Sequence, residues 1–313
     1  METSEHVLPI VLFFNALVLI TYPLHVVFVM ALFRNRYTKA QGTPFHHLVL
    51  NIGISDLISA TSHLLFQEPA WLGIASPFYM NNAWWIAKIV NICGICVANI
   101  PIYIHLFLAV NRFTAVRLPA QHHTLWRYPI VQRITCCIWL FTALVSMPII
   151  YPMEFGAYRT DNGRLKSVAY YFVSASSAQF YTFYLACLSI LILPTIVIYV
   201  YLLLFIIFLK FVTKSKRHII LIAVKSIVAA FCTSLGYVIL IVVLGSQQVY
   251  WALYKEDLMS PATFWLSFKI GRDLHNIATP WVMLIFYKTP NKAMSDVAVA
   301  RQLDLNVLVS GLP

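Results

Sequence analysis

Charge is what this 313-residue chain has least of: 11% of its residues are Asp, Glu, Lys or Arg, against 60% apolar side chains and a mean hydropathy of +0.78. Soluble domains carry about 25% charged residues, so a chain this poor in charge cannot cover itself with a water-facing shell and is expected in a lipid bilayer. No Asn-x-Ser/Thr occurs, which excludes that glycosylation signal. The six cysteines (Cys93, Cys96, Cys136, Cys137, Cys187, Cys232) all fall inside apolar stretches, leaving none for a disulfide between outer loops. HExxH and GxSxG are missing, and the His46-His47 and His122-His123 doublets flank spans; no enzyme, catalytic residue or metal ligand is expected. Fifteen Pro and ten Gly in no repeat exclude a collagen-like or low-complexity chain.

Long apolar runs are what the sequence does have. Seven can be read, at about 8–33, 45–66, 84–110, 130–151, 180–211, 218–244 and 263–287. Each reaches the ~20 residues that cross ~30 Å of hydrocarbon as a helix. Backbone polar groups in lipid must be satisfied within the segment, and the short alternating segments of a barrel are missing, so the expectation is an all-α bundle of seven transmembrane helices forming one domain over 1–313. The first stretch is too long for a signal-peptide core and has no basic region before it, so it reads as a retained span.

Lys and Arg set the orientation. One set of loops carries fourteen basic residues, among them Arg34, Arg36, Lys39, Arg112, Arg117, Arg127, Arg133, Lys210, Lys214, Lys216 and Arg217, with Lys288, Lys292 and Arg301 in the tail; the opposite set carries four, Arg159, Arg164, Lys166 and Lys255. The expected topology therefore has residues 1–7 outside and the tail 288–313 in the cytosol. The net charge of +11 is this bias and implies no nucleic-acid partner.

Polar residues within the spans are the candidates for function, since a charge there costs about 2.5–3.5 kcal/mol on insertion scales. Asp56 lies inside the second span and must face the bundle or a wet cavity, as an ion- or proton-linked centre or as a hydrogen-bonded pin between helices. Asn51, five residues earlier, need not share its face. The seventh span holds Lys269, Arg272, Asp273, His275 and Asn276 ahead of Thr279-Pro280. Lys269 and Asp273 are spaced i,i+4 and can pair on the face that also presents Asn276, whereas Arg272 must reach another helix or water. Pro280 removes the backbone bond to Asn276 and makes a hinge; Pro23, Pro101, Pro148 and Pro194 also lie within spans.

Taken together, the seven spans, Asn51 and Asp56 in the second, Asn111-Arg112-Phe113 closing the third, Trp139 in the fourth, Pro194 in the fifth and Thr279-Pro280 in the seventh resemble a rhodopsin-like G-protein-coupled receptor over nearly the whole chain. The stretches Asn111-Arg112-Phe113-Thr114-Ala115-Val116-Arg117-Leu118-Pro119 and Thr279-Pro280-Trp281-Val282-Met283-Leu284-Ile285-Phe286 resemble the nematode serpentine chemoreceptors, most of all class V, with class gamma next. The resemblance implies that Asp56, with Asn276, is the coupling centre where many such receptors hold a sodium ion; no other cofactor is implied. It also implies that Arg112 contacts a heterotrimeric G protein. Asn111 replaces the usual acidic neighbour, so an ionic lock with Arg112 cannot form. Thr279-Pro280 and Met283 alter the usual switch of the seventh span, and the sixth lacks Trp-x-Pro. Where opsins carry the retinal lysine this chain has Asp273, with Lys269 about 6 Å further along the axis, which argues against a pigment.

These features read as a receptor in the plasma membrane of sensory cells, binding a small molecule from outside near Tyr103, Tyr184, Tyr237, Lys269, Arg272 and Asp273. It would open the cytosolic side around Asn111, Arg112, Lys214, Lys216 and Arg217. The alternative is a ligand-gated channel or small-solute transporter using Asp56, Lys269, Arg272 and Asp273 as a path, though no inverted repeat is visible.

Overall fold

The computed structural model describes residues 4–35, 44–151, 153–162, 165–172, 191–205 and 261–287, with scattered residues between 236 and 258. Helix α1 (Ser4–Asn35) carries Pro23 within it. The second span is one rod made of α2 (Pro44–Ser62), a π turn (His63–Gln67) and α3 (Glu68–Trp71). After the short α4 (Ser76–Asn81), the third span runs through α5 (Ala83–Asn91), a π turn (Ile92–Cys96), a 3-10 turn (Val97–Asn99) and α6 (Ile100–Arg117). Pro101 sits in the first turn of α6, where its missing N–H costs nothing. Then come α7 (Pro119–Leu125), α8 (Tyr128–Ile150), α9 (Leu191–Phe205) and α10 (Pro261–Tyr287). The described residues from 236 to 254 are helical.

By length and composition, three described helices can cross a membrane: Pro9–Arg34, Pro44–Trp71 and Tyr128–Ile150. Helix α10 is long enough, at 27 residues, but bears three charges. Large apolar side chains such as Phe13, Ile20, Leu140, Leu144 and Val197 point outward, while the interior holds many polar groups. That inverted distribution suits a lipid surround, in which the apolar exterior meets hydrocarbon.

One departure from the all-α expectation lies between the fourth and fifth spans, where β1 (Phe155–Asn162) pairs antiparallel with β2 (Leu165–Phe172). The register joins Asn162 to Leu165, and the sequence between them is Gly163-Arg164, with glycine first, a composition favoured in two-residue hairpin connections. Buried Val168 of β2 packs with Ala70, Tyr79, Ile86 and Val90, so the hairpin lies against the ends of the second and third spans.

The second span is central: it packs against α1, the third span, α8 and α10. Leu48 and Ile52 join Ile100, Ile104, Val131 and Ile138 in an aliphatic core between the second, third and fourth spans. Glycine sets two close approaches. A Cβ at Gly53 would lie 2.7 Å from Val29 Cγ2, and one at Gly236 would lie 2.5 Å from the Gly271 carbonyl and 2.8 Å from the His275 nitrogen. Small residues at such points let membrane helices meet backbone to backbone.

Candidate functional site: stacked polar layers between the helices

The first layer forms where α1, the upper second span and α10 converge. Lys269 and Asp273 pair as their spacing predicts, Nζ to Oδ2 at 2.7 Å. The lysine also donates to Glu68 Oε1 at 2.7 Å and Asn15 Oδ1 at 2.6 Å, while Asn15 Nδ2 donates to the other Glu68 oxygen. Arg272 reaches another helix, as expected: Nη1 donates to Gln67 Oε1 at 3.2 Å and Nη2 meets His63 Nε2. Its contact with Asp273 Oδ1 is longer, 3.4 Å. His63 Nε2 also touches Glu68 Oε1, and its Nδ1 lies 2.7 Å from Gln67 Oε1. Asp273 is 0% exposed, and Glu68, Lys269, Arg272 and His63 are all buried.

Glu68 corrects the sequence reading, which ended the second span at Phe66 and left this acid in an outer loop. The rod continues to Trp71, and the π turn at His63–Gln67 adds a residue to the turn. That extra residue rotates the rest of the rod about its axis and points Glu68 into the bundle, a common use of π turns. His63 and Gln67 at i,i+4 were the visible hint.

The second layer surrounds Asp56, which is 1% exposed. His275 Nε2 sits 3.2 Å from each carboxylate oxygen. Thr279 Oγ1 donates to the His275 carbonyl at 2.9 Å. The His105 ring lies edge-on to that of His275 with centroids 6.3 Å apart, and buried His25 of α1 comes within 3.9 Å of where a Cβ at Gly53, three residues before Asp56, would lie. Sequence reasoning expected no histidine cluster, because these three come from helices far apart in the chain. Among the described residues Asp56 Oδ2, both His105 nitrogens, His25 Nε2, Ser59 Oγ and Asn276 Nδ2 lack hydrogen-bond partners. Asn51 faces away from Asp56, as its spacing allows, and accepts from Trp139 Nε1 at 2.9 Å.

A sodium ion prefers a cage of oxygens. Around Asp56 the neighbours are imidazoles, and Ser55 already donates to the Ile52 carbonyl. The residues present do not fit such a cage: among the described residues the side chain in contact with the Asp56 carboxylate is the His275 imidazole, not an oxygen donor.

The third layer lies at the other end of the bundle. The Arg112 guanidinium stacks over the Phe45 ring at 4.5 Å, and among the described residues no carboxylate reaches it. Asn111 is buried. Thr114 Oγ1 donates to the Val110 and Asn111 carbonyls and accepts from Trp126 Nε1 at 2.8 Å. Arg117 lies over the Phe205 ring at 4.4 Å.

The remaining candidates divide. Tyr103 is half-buried against the aliphatic core, edge-on to Phe141 at 5.9 Å. Pro194 is exposed on α9, and Pro280 lies inside α10. Tyr184, Tyr237, Lys214, Lys216 and Arg217 lie outside the described residues, as does the tail 288–313.

Helices packed around internal polar layers, with an apolar exterior, define a multi-pass membrane bundle. The family described as Serpentine type 7TM GPCR chemoreceptor Srv matches residues 14–297, and the chain belongs to that family. It is 30% identical over 177 residues to Serpentine receptor class V-1 of Caenorhabditis elegans; the alignment covers 56% of this chain and 54% of that relative, about half the length of each.

Proposed function

We propose that the chain is a chemosensory receptor that binds a small molecule at the Lys269–Asp273 layer and activates a heterotrimeric G protein through Arg112. The observation that carries this reading is the buried charged layer. Four ionised groups withdrawn from water serve little purpose in packing, and they tie together α1, the second span and α10, which also hold Asp56 and His275. A ligand that rearranged the first layer would shift the tilt of α10 against the second span, and Phe45, beneath Arg112, belongs to that same span. The proposed topology places the N-terminus outside and the tail in the cytosol, on the fourteen-to-four division of basic residues. The whole chain then forms one seven-helix domain in the plasma membrane of sensory cells.

Agonist-dependent recruitment of a Gα subunit tests the reading. Arg112→Ala is expected to abolish recruitment while surface expression persists, and full recruitment by that variant would refute it. A channel or transporter finds less support, because Lys269 is held on three sides rather than exposed to a path. Ligand-evoked current in cells without G-protein signalling would revive it.

A further inference from the structure

We propose that the first polar layer is a site for a small carboxylic acid, which binds as its carboxylate to Arg272 while His63 keeps its proton. The inference rests on the receptor reading for the role of the site and deepens it by naming the ligand's chemistry.

A census of donors separates the two cations. Lys269 has three N–H groups and three oxygens at 2.6–2.7 Å, from Asn15, Glu68 and Asp273, so nothing is left for a ligand. Arg272 has five. Its Nη groups meet the neutral partners Gln67 and His63, its one carboxylate contact is 3.4 Å long, and its Nε has no partner among the described residues. The side chain is nonetheless buried, at 6% exposure. A guanidinium whose Nε–Nη2 edge lacks a close anion is the edge that a planar carboxylate takes with both oxygens.

His63 supplies the charge balance. Its Nδ1 faces the Gln67 side-chain oxygen and so carries hydrogen, leaving Nε2 with two close, competing neighbours, Arg272 Nη2 and Glu68 Oε1, and Lys269 Nζ further off at 3.4 Å. Arg272 Nη2 needs a lone pair on Nε2, and Glu68 Oε1 needs a proton there. One atom cannot serve both. The charged groups facing His63 are Glu68 on its own rod and Lys269 and Arg272 from α10, with Asp273 paired to both of those cations; α1 contributes the neutral Asn15. With His63 neutral, two carboxylates balance two cations, and an added anion would leave one buried negative charge in excess.

The exchange closes that gap. The acid's O–H bond breaks, its proton goes to His63 Nε2, the imidazolium donates to Glu68, and the carboxylate takes the Arg272 N–H groups that His63 releases. Net uptake is one undissociated acid. An alcohol offers Arg272 a single oxygen, an amine adds a third cation, and a sulfonate brings no proton.

The test uses the full chain in lipid nanodiscs and reads thermal stabilisation, which requires no G protein. Propanoic, butanoic and benzoic acids are expected to raise Tm saturably, and butanol, butylamine and butanesulfonate are not. Apparent affinity for total acid should fall about tenfold per pH unit between about pH 6 and 8, since the undissociated fraction falls so. Arg272→Gln should weaken binding roughly 10- to 100-fold, and His63→Gln should flatten the pH dependence. Equal stabilisation by butanol or butylamine overturns the proposal, as does full affinity in Arg272→Gln or pH-independent binding in the native chain. Should Arg272→Gln fail to fold, Arg272→Lys keeps the charge without the two-pronged edge, and the acid–alcohol comparison needs no variant. Acid binding without Gα recruitment would sink the signalling reading and leave this site standing. Recruitment by non-acids, with no stabilisation by acids, would do the reverse.

Discussion

Replacing Lys269 by glutamine removes the cation that three helices share. Its Nζ lies 2.7 Å from both Glu68 and Asp273; in its absence Asp273 keeps Arg272 at 3.4 Å, and Glu68 keeps His63 and Asn15, neither a permanent cation. Leaving a buried charge without its partner costs about 3–5 kcal/mol. At about 2 °C per kcal/mol for a chain of this size, Tm should fall by roughly 6–10 °C. The double variant Glu68→Gln/Lys269→Gln leaves Asp273 and Arg272 as a balanced pair, so it should recover a coupling on the order of 2 kcal/mol relative to the sum of the single changes. The measurement is the temperature at which half of the nanodisc-embedded receptor remains monodisperse, taken on the native chain, both singles and the double. A Lys269→Gln variant as stable as the native chain would refute the reasoning, and so would a double variant that loses the full sum.

The other layers and contacts give three more expected outcomes. Phe45→Leu removes the ring beneath Arg112; a cation–π contact is worth about 0.5–2 kcal/mol, so basal Gα recruitment should rise roughly 2- to 30-fold, and unchanged basal activity would show that the stack is not a restraint. Gly236→Ala forces a methyl to 2.5 Å from the Gly271 carbonyl, and a drop in stability of about 1–3 kcal/mol is expected by the same thermal measurement. Replacing sodium by choline in the medium should leave Tm and agonist potency unchanged, because the His275 imidazole lies 3.2 Å from each oxygen of Asp56; a sodium-dependent shift would count against that reading.

Much of the fold and of the first layer was legible in the chain because it depends on local spacing. Lys269 and Asp273 pair because residues four apart share a helix face, and Asn51 parts from Asp56 because residues five apart do not. The spans announce themselves by scarcity of charge. What escaped depends on contacts between distant segments or on irregular turns. Glu68 sits in a polar-looking run, Gln67-Glu68-Pro69, and only the π turn before it brings the acid inside. His25, His105 and His275 meet across three spans, and no spacing within one helix can reveal that. The hairpin did carry a signal, Asn162-Gly163 between segments rich in β-formers, but the expectation of an all-helical bundle passed over it.

An α-helix advances about 100° per residue, so the extra residue of the π turn at His63–Gln67 acts as a phase offset between two halves of one rod. Below it the helix is keyed to Asp56 and α10's histidine; above it, to the Glu68 layer. Deleting a single residue within 63–67 would restore regular winding, leave the lower half in register, and swing Glu68 about 100° away from Lys269. The two halves of the second span are thus separately indexed, and one register can change without disturbing the other.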